Sequence, residues 1–299
     1  MQVLAFPDDR LRGQALAFAL GAQSELIDLH HFPDGESRLR LPPALSQRVV
    51  MLRSLNQPNE KLVELLLAAL AAREAGAEQI CLVAPYLAYM RQDTAFQPGE
   101  VVSQRWIGQL LASHFDAVVT VDPHLHRVQS LALAVPARHA IVVSAARAIG
   151  AFLHERSAGA LLVGPDEESR QWVATVATAA GSEYEVANKV RHGDRSVSIA
   201  LPSRSFDGRR IVLVDDLAST GRTLSEAARA LLSAGASQVD VMVTHALFVG
   251  DAESHLRQAG VTEIWSADTV DHSSNIVTLT PDIARAVQAL DNPRSADAH

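Results

Sequence analysis

The stretch Ile211-Val-Leu-Val-Asp-Asp-Leu-Ala-Ser-Thr-Gly-Arg-Thr-Leu224 decides how this chain is read. Four apolar residues run straight into two adjacent carboxylates. A short Ser/Thr/Gly loop follows, and then an apolar-periodic segment from Leu224 to Leu232. The uninterrupted apolar run predicts a buried parallel strand, and the segment after the loop predicts a helix. The loop therefore stands at a strand's carboxyl end and a helix's N-terminus, where unpaired N–H groups and the helix dipole favour a phosphate. Gly221 allows close backbone approach, and Ser219, Thr220 and Thr223 add hydroxyl donors. Asp215 and Asp216 would repel a phosphate; they suit sugar hydroxyls, or a magnesium ion, beside it. A phosphate at one end and a diol at the other describe a phosphorylated pentose. The plainer alternative is a strand–turn–helix whose acids only cap the helix, but two adjacent acids and four small or hydroxyl residues exceed what a cap requires. No Walker loop is present.

Outward from this stretch, strand-like runs alternate with helical patterns. Strands are predicted at 3–6, 49–52, 79–84, 117–121, 160–163, 211–214, 239–244 and 263–267. Helices are predicted at 59–76, 102–115, 144–155, 168–180, 224–234, 252–259 and 281–290. The alternation argues for an α/β architecture with parallel sheets. Gly76 and Gly235 each follow a long helix and suit a left-handed, helix-ending position. Both helices then lead through Ala-Gly-Ala-x-Gln into a strand, so the chain is expected to be an internal duplication with a boundary near residue 142. The expected domains are 1–142 and 143–290, followed by a polar tail at 291–299.

A length of 299 residues suits about two domains. A net charge of −8 argues against non-specific nucleic-acid binding, so an anionic substrate would be held by local cations, backbone N–H groups and metal. The single cysteine, Cys81, lies in an apolar run and is expected to pack as a small core residue, which fits a reducing cytoplasm. No basic leader with a long apolar core and no run of about 18 apolar residues occurs, so neither a signal peptide nor a membrane partner is expected.

Five further segments carry chemistry-bearing residues. Pro85-Tyr-Leu-Ala-Tyr-Met-Arg-Gln-Asp93 follows a predicted strand, and Arg91 offers a fork for phosphate oxygens; solvated loop residues are the alternative. Thr120-Val-Asp-Pro-His-Leu-His126 also follows a strand. Its alternating His124 and His126 do not suit one metal, so a single histidine near a phosphate-bound magnesium is the better reading, beside a packed or capping one. Phe32-Pro-Asp-Gly-Glu36 reads as a turn. In Val163-Gly-Pro-Asp-Glu-Glu-Ser169, Asp166 suits a metal, or the acids merely complement a helix dipole. In Asn188-Lys-Val-Arg-His-Gly-Asp194, Lys189 and Arg191 share a face if extended, as a transferring phosphoryl group needs, or the segment is a solvated hairpin.

Taken together and in this order, these motifs resemble those of the ribose-phosphate diphosphokinase (phosphoribosyl pyrophosphate synthetase) family over about residues 1 to 285. Phe96-Gln-Pro-Gly-Glu-Val-Val-Ser103 and the loop form Asp-Asp-Leu-Ala-Ser-Thr-Gly look more like the archaeal-type branch. The resemblance implies two type I phosphoribosyltransferase-like domains related by a pseudo-twofold axis. It implies transfer of the diphosphoryl group of ATP to the 1-hydroxyl of ribose 5-phosphate, giving phosphoribosyl pyrophosphate and AMP. By this resemblance Asp215, Asp216, Ser219, Thr220, Gly221, Arg222 and Thr223 hold the pentose phosphate. Lys189 and Arg191 neutralise the transferring group, and Mg2+ sits near His124 and Asp166. Arg91, Gln92 and Asp93 contact ATP, while Phe32, Asp34 and Glu36 receive the adenine from a neighbouring subunit, which implies a homo-oligomer, at least a dimer. Departures stand at Thr94, where a basic residue is usual, at Ala88 for a glycine, and at Arg222 for a glycine or alanine. A non-catalytic regulatory paralogue and a true phosphoribosyltransferase are the competing readings. The first has no need of all the retained charged residues, and the second does not explain Arg91-Gln-Asp93, Lys189-Val-Arg191 or the duplication.

Overall fold

A computed structural model describes residues 1–125, 127–192 and 196–290; His126 lies outside that set, as do the side chains of residues 189–192 and 196–198. The chain forms two compact units, the first Met1–Val143 joined by the C-terminal segment from Thr280, the second Ser144–Leu279.

The first unit runs β1 (Gln2–Ala5), α1 (Arg10–Leu20), β2 (Gln23–Leu26), β3 (Asp28–His31), β4 (Ser37–Arg40), β5 (Arg48–Leu52), α2 (Pro58–Glu74), β6 (Gln79–Ala84), α3 (Ser103–Ala112), β7 (Ala117–Val121), α4 (Leu131–Ala134) and β8 (His139–Val143). Its six-stranded sheet has the order β2-β1-β5-β6-β7-β8 with every pair parallel. The central strands are buried almost throughout, which is why they read as continuous apolar runs. Alternate residues Leu4, Val49, Met51, Ile80 and Leu82 face Leu62, Leu65, Ala68 and Ala72 of α2 in one core. β3 and β4 stand apart as an antiparallel hairpin.

The second unit runs α5 (Ala146–Arg156), β9 (Leu161–Gly164), α6 (Arg170–Ala180), β10 (Tyr184–Val186), β11 (Asn188–His192), β12 (Ser196–Ala200), β13 (Arg210–Ala218), α7 (Arg222–Ser233), β14 (Gln238–Ala246), α8 (Ala252–Gln258), β15 (Val261–Ala267) and β16 (Asn275–Val277). Its sheet, β10-β9-β13-β14-β15-β16, is again all parallel, and β11–β12 is again a separate antiparallel hairpin. Numbering the six sheet strands of each unit in chain order gives the same sequence, 2-1-3-4-5-6, with the hairpin between the second and third. The repeated Ala-Gly-Ala junction is built identically: Ala77 N–H donates to Ala72 and Ala236 N–H to Leu231, and Gly76 and Gly235 both take φ of 94°.

The structure departs from the sequence expectation in several places. α1 was not among the expected helices; its Gly13 lies against β1, where a β-carbon would collide with that of Ala5. β2, β3, β4 and β16 are short edge or hairpin strands with little apolar pattern to reveal them, while the apolar run of β8 was missed although it forms a sheet-edge strand. The last helix, α9 (Thr280–Ala289), falls within the expected 143–290 domain but packs on α1, β7 and β8 of the first unit. Among the described residues no helix is long and apolar enough to cross a membrane.

Candidate functional site

In each unit the strand order reverses between the first and third sheet strands, and in open parallel sheets ligands bind at the carboxyl ends there. In the second unit these are the ends of β9 and β13. β13 continues past Val214 through Ala218, so Asp215 and Asp216 lie in the strand itself rather than after it, with Asp215 opposite Val243 of β14. β9 pairs with β13 only as far as Leu213, and it is the longer β14 that supplies the ladder partners carrying the strand four residues further than its apolar run. Asp216 N–H donates to the Asp215 carboxylate at 3.0 Å.

Asp166, just beyond β9, accepts from Glu168 N–H at 3.1 Å and so does cap the short helical turn that follows. It also faces the acid pair. The Asp215 carboxyl is pushed well above the usual range, first by burial and then by the negative charges of Asp216 and Asp166. Three acids that repel one another around a partly open point form a place where a cation or a sugar diol would relieve the repulsion.

Past Ala218 the chain turns through Ser219 and Thr220 to Gly221, the N-cap residue of α7, held at φ 67°. No side chain caps this helix, so its first N–H groups remain available to an anion. Val249 N–H donates to Ser219 and Phe248 N–H to Ala218, tying the loop to the segment after β14. A β-carbon on Gly221 would stand 3.3 Å from the Ala252 carbonyl, so α8 closes over the loop from behind. α7 begins at Arg222, two residues earlier than expected; Arg222 and Thr223 therefore belong to its first turn, and Arg222 faces solvent.

Lys189 and Arg191 lie in β11, opposite Ile199 and Val197 of β12, two residues apart and hence on one face of the hairpin; their side chains lie outside the described residues.

In the first unit Phe32, Asp34 and Glu36 form the turn of the β3–β4 hairpin. Phe32 N–H donates to Glu36 O at 2.8 Å, Asp34 accepts from Glu36 N–H at 3.1 Å, and Phe32 is 41% exposed. Arg91 and Gln92 follow β6, with Arg91 exposed and Gln92 donating to Thr94 O. Asp93 is already engaged. Its carboxylate, only 2% exposed, takes hydrogen bonds from the Arg127 guanidinium at 2.8 Å and the Arg127 N–H at 3.2 Å. The loop after β6 is thereby joined to the loop after β7, which holds His124, half-buried. Arg127 was not predicted as part of the site; an arginine in a polar loop gives no sequence signal, and only the fold brings it to a residue 34 positions earlier.

The duplication extends to these loops. Phe6-Pro-Asp8 after β1 matches Gly164-Pro-Asp166 after β9, and the strand registers Ala5 opposite Leu52 and Val163 opposite Leu213 then set Ser54 and Leu55 where the second unit has Asp215 and Asp216. Only the second unit carries the acid pair.

Two sheets of order 2-1-3-4-5-6, one bearing paired acids ahead of an uncapped helix N-terminus, define a double phosphoribosyltransferase-type protein. Residues 1–114 match the family model of the N-terminal domain of ribose phosphate pyrophosphokinase, and residues 139–275 match that of the phosphoribosyl transferase domain. The chain is 39% identical over 294 residues to a ribose-phosphate pyrophosphokinase of Methanopyrus kandleri, covering 97% of this chain and 99% of that one. It is 33% identical over 274 residues to one from Halobacterium salinarum, covering 91% and 95%. A crystal structure of phosphoribosylpyrophosphate synthetase from Mycobacterium smegmatis superposes with a TM-score of 0.85 over 98% of this chain and 99% of that one, at 22% identity. The chain belongs to the ribose-phosphate pyrophosphokinase family.

Proposed function

We propose that this chain transfers the β,γ-diphosphoryl group of ATP to the 1-hydroxyl of ribose 5-phosphate, giving phosphoribosyl pyrophosphate and AMP. The observation that carries this reading, within that family, is the join of the Asp215–Asp216 pair to the uncapped N-terminus of α7 across Ser219, Thr220 and Gly221. The loop N–H groups and hydroxyls, with Thr223, take the 5-phosphate. Asp215 and Asp216 accept hydrogen bonds from the ribose hydroxyls, which orients the sugar. The 1-oxygen attacks the β-phosphorus, the bond from that phosphorus to the α-phosphate oxygen breaks, AMP leaves, and the hydroxyl proton passes to solvent. Lys189 and Arg191, on one face of β11, stabilise the charge that builds on the transferring group.

Arg91 and Gln92 contact the ATP phosphates, and Asp93 holds their loop through Arg127. Phe32, Asp34 and Glu36 receive the adenine of a neighbouring copy, so the working form is a homo-oligomer. Mg2+ suits the donors near Asp166: a hard ion that needs one or two carboxylates and takes its other ligands from phosphate and water fits crowded acids. Asp166 and His124 would hold it, and it would supply positive charge to offset that of the phosphates.

The test is purified protein with ATP, Mg2+ and ribose 5-phosphate, followed by phosphorus NMR. AMP and phosphoribosyl pyrophosphate in equal amounts are expected. ADP as the nucleotide product, or none at all, overturns the assignment.

A further inference from the structure

The first unit's reversal point is also a cavity, about 480 Å³, at the ends of β1 and β5. Its cations are matched from within: Arg53 to Glu64 at 2.6 Å and Lys61 to Asp8 at 2.7 Å. With its charges already paired and no acid pair, this copy of the site is built as a brace. We propose that Glu64 is the positioning residue for the β3–β4 hairpin, and thereby for the turn Phe32–Glu36 that it presents to ATP. The second half of this statement rests on the adenine-side reading of that turn.

Glu64 lies on α2 with its side chain only 1% exposed. One carboxylate oxygen accepts from His31 Nε2 at 2.6 Å and from Ser37 Oγ at 2.6 Å. The other faces the Arg53 guanidinium. An ionised carboxylate only accepts, so His31 carries its proton on Nε2. Burial alone would raise the Glu64 pKa, but the hydrogen bonds from Ser37 and His31 and the positive charge of Arg53 outweigh it and hold the carboxyl below its usual range.

His31 and Ser37 are the register pair that closes the hairpin, one residue before Phe32 and one after Glu36. Both ends of the ATP-side turn are thus fastened to one atom on a seventeen-residue helix. An isolated two-stranded hairpin is marginal in water. Among the described residues, the hairpin's hydrophobics packed on the core are the partly buried Leu29 and Leu39. The clamp is itself rigid: Arg53 is 3% exposed, lies over the Phe6 ring at 3.9 Å and donates to Lys61 O at 3.2 Å. Groups that bind substrate need such support, because small misplacements weaken binding steeply.

The test removes the two hairpin anchors while keeping the buried Arg53–Glu64 pair, so that no uncompensated charge is left inside. The double variant His31→Ala/Ser37→Ala should raise KM for ATP by about tenfold to a hundredfold and leave KM for ribose 5-phosphate unchanged. Hydrogen exchange over residues 28–40 should lose protection, and restoring Ser37 alone should recover part of both effects. Unchanged exchange over the hairpin overturns the role of Glu64. Lost protection with an unchanged KM for ATP supports the clamp and overturns the adenine-side reading of the turn.

Discussion

Gly221→Ala probes the loop proposed to hold the pentose phosphate. Gly221 sits at φ 67°, where a side chain costs about 1–2 kcal/mol. The new methyl would lie 3.3 Å from the Ala252 carbonyl and 3.5 Å from Leu256 Cγ, close enough to force a small shift of α8 but short of a collision. Two outcomes share this strain. If the left-handed turn is kept, the strain appears as lost stability, on the order of 2–4 °C in Tm per kcal/mol for a unit of this size. If the turn flips, the first N–H groups of α7 lose their aim, and ribose 5-phosphate binding weakens by about tenfold for each 1.4 kcal/mol. Differential scanning calorimetry and isothermal titration with ribose 5-phosphate separate the two, and the losses together should come to about 1–2 kcal/mol. Tm and affinity both unchanged would refute the argument from backbone geometry. A raised KM for ATP alone would show that the loop holds something other than the pentose phosphate.

Asp215 is an acid whose folded pKa lies above its unfolded value, so the folded state holds the extra proton; stability falls as pH rises from the usual carboxylate range toward the raised pKa. Asp215→Asn should therefore raise the Tm of the ligand-free protein at neutral pH, flatten its pH dependence and abolish turnover, and a lowered Tm would contradict the repulsion among the three acids. Lys189→Ala should cut kcat by about two or more orders of magnitude while ribose 5-phosphate binding, read by calorimetry, stays nearly intact; equal loss of both contradicts a role at the transferring group. Gly108→Ala would drive a methyl to 1.7 Å from the Ala134 carbonyl between α3 and α4, so a melt should show destabilisation at the upper end of about 1–3 kcal/mol, and a silent variant would refute that packing. Glu64 has a folded pKa below its unfolded value, so its contribution is present above the usual carboxylate range and lost as pH falls through the folded value; acid titration by hydrogen exchange should release residues 28–40 early.

Much of this was legible in the chain, where the signal is local. The apolar runs 79–84 and 117–121 give β6 and β7 with those limits, because a strand covered on both faces needs no alternation. The paired acids followed by Ser219-Thr-Gly221 announced a loop before a helix, because capping, backbone freedom and dipole are properties of a few consecutive residues. The two Ala-Gly-Ala junctions exposed the duplication for the same reason.

Tertiary structure alone decided the rest. Strand order 2-1-3-4-5-6, and hence which loops meet at the reversal point, depends on pairings that no periodicity records. The extension of β13 through Asp215 and Asp216 comes from its neighbour β14, against the polar character of the residues. α1 went unpredicted and α9 was expected in the second domain; packing makes them partners in the first unit. In sequence Glu64 is one more charge in a helical segment; its meaning lies in His31, Ser37 and Arg53, which only the fold gathers around it. A chain writes its local preferences into short-range pattern, whereas a site made of residues tens of positions apart exists only once burial has brought them together and given each polar group a partner.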